Sequence, residues 1–291
     1  MDESKESIAS RAGTFLLGGD LPVHRLGFGT MRLTGPGVWG EPADPAEAVR
    51  VLRRAVELGV NFIDTADSYG PFVSEKLIAE ALHPYPDDLV IATKGGFTRQ
   101  GPDLWAPVGR PEYLRQQTEL SLRHLRVECI DLYQLHRIDA KVPLEDQIGE
   151  LALLQDEGKI RHIGLSEVDV EQIEAAREIA PIVSVQNRYN VAERSAEPVV
   201  EFAEKERLAF IPWFPMSTGR LAAPGGPLAR ISEEMGASPG QLALAWLLHR
   251  TPVMLPIPGT AQVTHVEENI AAAKIGLSDD QVASITRAVK D

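Results

Sequence analysis

Apolar positions along the chain follow two rhythms. Short β-rich runs recur at 25–30 (RLGFGT), 61–64 (NFID), 89–93 (LVIAT), 131–135 (DLYQL), 160–165 (IRHIGL), 182–186 (IVSVQ), 208–212 (LAFIP) and 253–257 (VMLPI). Several are continuously apolar, the pattern of strands covered on both faces of a parallel sheet. Between them lie segments with helical spacing: 45–58, 73–82, 111–126, 143–156, 169–180, 194–205, 239–249 and 262–273. A short final helix is predicted near 279–289.

Helix boundaries carry matching chemistry. Pro45, Pro111 and Pro239 stand where a first helical turn loses no N–H bond. Asp44 and Ser238 can cap those turns, whereas Arg110 cannot. Gly59 and Gly158 follow their helices as stops. Eight strand–helix units in unbroken alternation imply a parallel sheet with right-handed crossovers, and that number favours closure into a single α/β (β/α)8 TIM barrel. No Pro/Gly/Ser linker divides the chain, so residues 14–291 are expected to form one domain behind a loose polar leader, 1–13.

Composition narrows the function. The 291 residues are 44% hydrophobic and carry 29 basic and 42 acidic side chains, a net charge of −13. An acidic surface of that size disfavours nucleic acid and anionic membranes as partners. Cys129 is the only cysteine, which excludes an intramolecular disulfide and multi-cysteine metal sites. No apolar run approaches the roughly 18 residues of a membrane span, and MDESKESIASRAG lacks the apolar core of a signal peptide. The expected setting is the cytoplasm.

Residues 35–40 (GPGVWG) formally satisfy G-x-G-x-x-G, with Asp64 further on. A dinucleotide fingerprint needs the helix to begin inside the glycine run, its N-terminus facing the pyrophosphate. Pro42 and Pro45 push the helix start to about residue 45. The run is therefore expected to be a loop over the barrel mouth, with Trp39 covering a ligand or packing.

Chemistry on such a barrel sits at the C-terminal strand ends. Asp64 ends the second predicted strand, Lys94 follows the third, His136 the fourth, Ser166 the fifth and Gln186 ends the sixth; Tyr69 lies on the loop after Asp64. A phenol is a weak acid, with a reference pKa near 10; a nearby ammonium is expected to lower it and make Tyr69 a usable proton donor. Asp64 would hold the Lys94 ammonium, and His136 would orient a substrate oxygen. Carbonyl reduction needs that set, with hydride from a cofactor. Each residue also has an ordinary reading: a rim ion pair, a surface tyrosine, a satisfied loop histidine. Their shared placement favours catalysis.

FIDTADSYG, ATKGG, DLYQLH, HIGLS, VQNRYN and PIPGTAQVTHVEENIAA, in this order from about residue 14 to the end, resemble the aldo-keto reductases. The resemblance implies a (β/α)8 barrel that binds NADPH without a Rossmann motif and reduces aldehydes and ketones. It makes Asp64, Tyr69, Lys94 and His136 the catalytic tetrad, with Tyr69 the acid. It also implies a β-hairpin plugging the barrel floor, for which 14–24 is suited. Ser166 and Gln186 match the contacts to the nicotinamide carboxamide, with Glu167 beside them where many members have asparagine. Trp213 matches a ring stacked on the nicotinamide. The stretch Phe214, Pro215, Met216, Ser217, Gly219, Arg220 and Leu221 matches the pyrophosphate segment. Gly259, Thr260, His265, Glu268 and Asn269 match the adenosine site, and Gly29, Thr30 and Met31 join the cofactor set with Asp64.

Gly259 replaces a lysine common in the family, and His265 an arginine, so charge for a 2′-phosphate is reduced. NADPH is still expected, with Arg220 a candidate for the missing charge and NADH the alternative. GPGVWG, DSYGPFV and PIPGT are most similar to the bacterial pyridoxal-reductase-like members, which makes pyridoxal a candidate substrate. Trp39 and Trp105 are candidate walls of its pocket. A non-catalytic NADP(H) sensor on the same barrel is the competing function. A metal-dependent hydrolase or isomerase has no ligand cluster to support it. The expected partner is a small carbonyl compound, and the expected assembly is a monomer or weak homo-oligomer.

Overall fold

Regular structure begins with an antiparallel hairpin, β1 (Thr14–Leu17) and β2 (Leu21–His24), joined by a turn through Gly18 and Gly19. Three parallel strands follow, β3 (Phe28–Gly29), β4 (Phe62–Asp64) and β5 (Val90–Gly95). A second hairpin, β6 (Phe97–Gly101) and β7 (Leu104–Pro107), interrupts the alternation. Four more parallel strands are β8 (Ile130–Leu135), β9 (Ile160–Ser166), β10 (Ile182–Gln186) and β11 (Ala209–Phe210). They form one curled seven-stranded sheet in the order β3-β4-β5-β8-β9-β10-β11. This computed structural model describes residues 7–216 and 225–290.

The predicted helices form with small shifts at their ends. The first, α1 (Pro45–Glu57), starts where Asp44 accepts from Glu47 N at 2.9 Å and buries Ala48, Val51, Leu52 and Ala55. Next come α2 (Val73–Leu82), α3 (Pro111–Leu125), α4 (Leu144–Asp156) and α5 (Val170–Arg177). Arg110 makes no side-chain cap on α3, as its chemistry requires. Helix α6 (Glu197–Glu206) starts later than its apolar spacing suggests, with Pro198 in its first turn. A short helix, α7 (Ala229–Met235), was not evident from the pattern. Helix α8 (Pro239–Arg250) opens on a reciprocal Ser238–Gln241 capping box, followed by α9 (Val263–Ala271) and α10 (Asp279–Lys290).

Three expectations need adjustment. Residues 253–257 are not a regular strand; a single bridge pairs Met254 with Phe210. Pro252, Pro256 and Pro258 lack the N–H donors that a ladder uses. The segment nevertheless bonds both edge strands' neighbourhoods: Phe210 N donates to Val253 O (2.9 Å), Leu255 N to Phe210 O (2.8 Å) and Gly27 N to Pro256 O (3.0 Å). Within the stretch expected as a loose leader, Ala9–Ala12 form a 3-10 turn with both alanines buried, and Ala9 N donates to Leu58 O. The hairpin β6–β7 forms where the alternation of strands and helices predicts no element.

Strand periodicity sets the site on an apolar base. Leu17, Leu21 and Val23 from the first hairpin pack with Phe62, Val90, Ala92, Leu132, Ala209 and Leu255 in one cluster. Two residues further along each strand, on the same face, come Asp64 after Phe62, Lys94 after Ala92 and Gln134 after Leu132. The hairpin thus fills one end of the sheet's concave interior, and polar side chains collect at the other.

Candidate active site

Register places the polar layer side by side: Asp64 pairs with Ala92, Lys94 with Gln134, Gln134 with Gly164, and Gln186 with Ser166. Lys94 is fully buried and its ammonium donates to Asp64 Oδ1 at 2.6 Å and Thr65 O at 2.7 Å. The other carboxylate oxygen, Asp64 Oδ2, accepts from Gln134 Nε2 (3.0 Å) and Gln186 Nε2 (2.9 Å). Burial alone would pull the Lys94 pKa down, but the Asp64 carboxylate and the Tyr69 hydroxyl outweigh it and hold the ammonium above the ordinary lysine value. The buried pair is tolerable because the ammonium finds two close acceptors and the carboxylate accepts from three donors.

Tyr69 is carried by the loop after β4. Gly70, at φ 93°, lets that loop turn, and a Cβ there would lie 2.4 Å from Val73 Cβ. The loop is pinned by a buried hydroxyl chain: Ser74 Oγ donates to Thr30 Oγ1 at 2.6 Å and lies 2.8 Å from Thr65 Oγ1. The result brings Tyr69 Oη to 3.5 Å from Lys94 Nζ, at the outer limit of hydrogen bonding. The expected drop in the phenol pKa is not what the site produces. Burial raises it, the Asp64 charge adds to that, and the nearby Lys94 and Arg137 charges only partly offset them. Tyr69 therefore keeps its proton above the ordinary tyrosine value.

His136 is 7% exposed, with its ring edge-on to Tyr69 (6.0 Å between centroids) and Phe97 (4.7 Å). Its Nδ1 lies 3.3 Å from Ser68 Oγ. Burial, then the charges of Lys94, Arg137 and Arg99, hold its pKa well below the ordinary histidine value, so the ring is neutral. Stability should therefore fall as pH drops below about 6.5, by at most about 1.4 kcal/mol per pH unit, because the unfolded state gains a proton the folded ring refuses. His136→Gln should flatten that slope in urea unfolding; equal slopes in parent and variant would remove the assignment.

The rim was only partly legible. Trp105, on β7, lines the cleft; Trp39 does not, and Val38 lines it instead. Arg99, not among the expected site residues, sends all five of its N–H groups to backbone carbonyls. Nε donates to Leu104 O (2.9 Å), Nη1 to Val38 O (2.8 Å) and Ser68 O (2.7 Å), and Nη2 to Gly37 O (2.8 Å) and Gly101 O (3.3 Å). Its guanidinium also stacks 3.5 Å from the Trp105 ring centroid. Gly101-Pro102-Asp103 is the turn signal that could have revealed this hairpin. Gln134 is likewise outside the expected set, although it stands two residues before His136 in DLYQLH.

The cleft encloses about 640 Å³. Gly29, Thr30, Met31, Ser166, Gln186, Trp213, Phe214, Pro215, Met216 and Gly259 line it beside Asp64, Tyr69 and His136. Glu167 has turned away, at φ 56°, and its Oε1 accepts from Arg188 N (2.6 Å) and Trp213 Nε1 (2.5 Å). It thus fixes the indole rather than facing the cleft. Thr260, His265, Glu268 and Asn269 sit outside the cleft lining, Thr260 just before α9 and the other three on it, with Thr260 Oγ1 3.4 Å from His265 Nδ1. Ser217, Gly219, Arg220 and Leu221 lie outside the described residues. No described group of three or more His, Cys, Asp or Glu is arranged to hold a metal ion, and no described helix is long and apolar enough to cross a membrane.

A parallel α/β sheet that sets a protonated phenol and a neutral imidazole on one cleft, backed by a buried ammonium–carboxylate pair, is suited to an oxidoreductase. The sequence profile of the aldo/keto reductase family matches residues 25–290, and the chain belongs to that family. An uncharacterized oxidoreductase of Schizosaccharomyces pombe is 53% identical over 277 residues, covering 95% of this chain and 90% of that one. Pyridoxine 4-dehydrogenase of Escherichia coli is 41% identical over 280 residues, covering 94% and 97%. Among solved structures, an aldo-keto reductase from Klebsiella pneumoniae in complex with NADPH is similar at TM-score 0.80 and 26% identity, covering 94% of each chain.

Proposed function

We propose that this protein reduces an aldehyde or ketone to an alcohol with NADPH, Tyr69 delivering the proton. The observation that carries the reading is the buried Lys94–Asp64 pair beside a phenol that stays protonated. The carbonyl oxygen accepts from Tyr69 Oη and from His136, whose proton sits on Nε2 when Ser68 donates to Nδ1. Bound NADPH supplies the hydride to the carbonyl carbon. Tyr69 then gives its proton to the oxygen, and the positive charge of Lys94 lowers the cost of the phenolate left behind.

The residues present fit that cofactor. Ser166 Oγ and the Oε1 of Gln186, whose Nε2 is spent on Asp64, face the cleft as carboxamide partners. Trp213 presents its ring for stacking with Glu167 holding the indole N–H. Gly259 offers no side chain to hold a 2′-phosphate, which favours NADH as a second reading; Arg32, whose stem runs beside Gly259, is a described cation near that end.

Pyridoxal is the proposed substrate, supported by the flat walls of Trp105, Phe97 and Tyr69 and by the similarity to the Escherichia coli pyridoxine 4-dehydrogenase. We also infer one cytoplasmic domain, monomeric or weakly self-associating, whose sheet closes as a (β/α)8 barrel through residues 253–257; the bonds from Phe210, Leu255 and Gly27 support closure. Titration with NADPH and NADH, followed by cofactor oxidation over an aldehyde panel including pyridoxal, tests the reading. Saturable oxidation is expected. Tight NADPH binding without turnover of any aldehyde would replace it with a cofactor-sensing role.

A further inference from the structure

Among the described residues, one cation that lines the cleft has no assigned role in the proposed reduction. Arg137 follows His136 at the end of β8 and lines the cleft, partly buried. Its Nη1 donates to His136 O at 2.6 Å and to Ser166 Oγ at 3.1 Å, which fixes the guanidinium in place. Nε and Nη2 have no hydrogen-bond partner, and no carboxylate pairs with the group among the described residues.

The nearby acids are committed elsewhere. Asp64 is held by Lys94 and two amides. Glu167 spends Oε1 on Trp213 and Arg188 N, and its charge reaches Arg137 without a hydrogen bond or ion pair between them. Asp103, on the rim, lies within the field of Arg99. The Phe97 ring, with its centroid 5.4 Å from the guanidinium carbon, covers part of Arg137 and shields it from water. A partly buried guanidinium with idle donors is unfavourable unless a ligand completes it.

We propose that Arg137 is a specificity-determining residue that selects carbonyl substrates bearing an anionic oxygen, a carboxylate or phenolate on a flat ring. The inference rests on the carbonyl-reductase reading of the same cleft and adds a substrate class to it. The ring lies among Phe97, Trp105 and Tyr69, while the anion accepts from the free Nε and Nη2. The fork of two N–H groups suits a carboxylate.

Two measurements test this on the cofactor-loaded enzyme. The first is kcat/KM for benzaldehyde and for its ortho- and para-carboxylates. The parent should favour at least one carboxylate by about 10-fold or more, and Arg137→Met should lower that preference by about 10- to 100-fold, in line with a charge-assisted hydrogen bond. Arg137→Lys should retain part of it. The second is calorimetric binding of benzoate against benzamide, which needs no turnover. The parent should bind benzoate more tightly and Arg137→Met should not.

Equal losses on charged and neutral substrates, or a weakened NADPH affinity in Arg137→Met, would make the residue a support for His136 or the cofactor and overturn the proposal. A parent with no preference for benzoate would also overturn it. Benzoate selectivity that depends on Arg137, in an enzyme that turns over no aldehyde, would support the anion site and overturn the reductase reading alone.

Discussion

Tyr69→Phe is expected to lower kcat for carbonyl reduction by about 10²- to 10⁴-fold, the usual worth of a positioned proton donor, while the NADPH dissociation constant stays within about 2-fold of the parent, since no cofactor contact is assigned to the hydroxyl oxygen alone. The ring still fills its place against Trp105 and His136 after the substitution, so the loss isolates the hydroxyl. The direction of the phenol pKa adds a second signature. Because burial holds it above the ordinary tyrosine value, reduction should stay insensitive to pH through neutrality and weaken only on the alkaline side. Oxidation of the alcohol, which needs the phenolate, should rise with pH over that range. Steady-state rates in both directions check this. Retention of more than about a tenth of parent kcat would show that the proton comes from elsewhere.

Lys94→Met should have the largest effect on stability. It removes the ammonium from a fully buried carboxylate and leaves Asp64 with only the two amides of Gln134 and Gln186. Breaking a buried pair from one side costs about 3–5 kcal/mol. Adding Asp64→Asn removes the stranded charge, so the double variant should recover much of that loss while activity stays absent. Urea unfolding of the two single variants, the pair and the parent gives the coupling directly. A Lys94→Met variant within about 1 kcal/mol of the parent would mean that the pair is not desolvated as its burial implies.

Much of this was legible from residue order alone, for definite physical reasons. Caps and first-turn prolines at Asp44, Pro111 and Ser238 are local chemistry, and the helices that they start formed there. Period-two alternation put Asp64, Lys94 and Gln186 on one side of the sheet. What stayed hidden depends on distance through space. Arg99 binds carbonyls from residues 37, 38, 68, 101 and 104, and no local pattern marks an arginine with that many distant partners. Glu167 reads as a cofactor contact until its left-handed backbone turns the side chain toward Trp213. The sign of the Tyr69 shift also escaped, because sequence places the ammonium nearby but does not report how much water is excluded. The regular eighth strand failed for a reason visible in the letters, three prolines within seven residues of each other at 252, 256 and 258.

Arg99 separates two tasks that share a small space. With one guanidinium riveting three loops by their main chains, side chains at the hairpin tip are free to change while the loop beneath keeps its shape. A substitution at Asp103, which lines the cleft, would re-cut the doorway without moving the hearth behind it. Losing the rivet would unsettle entry and chemistry together, because Ser68, the neighbour of the imidazole, hangs from the same pin.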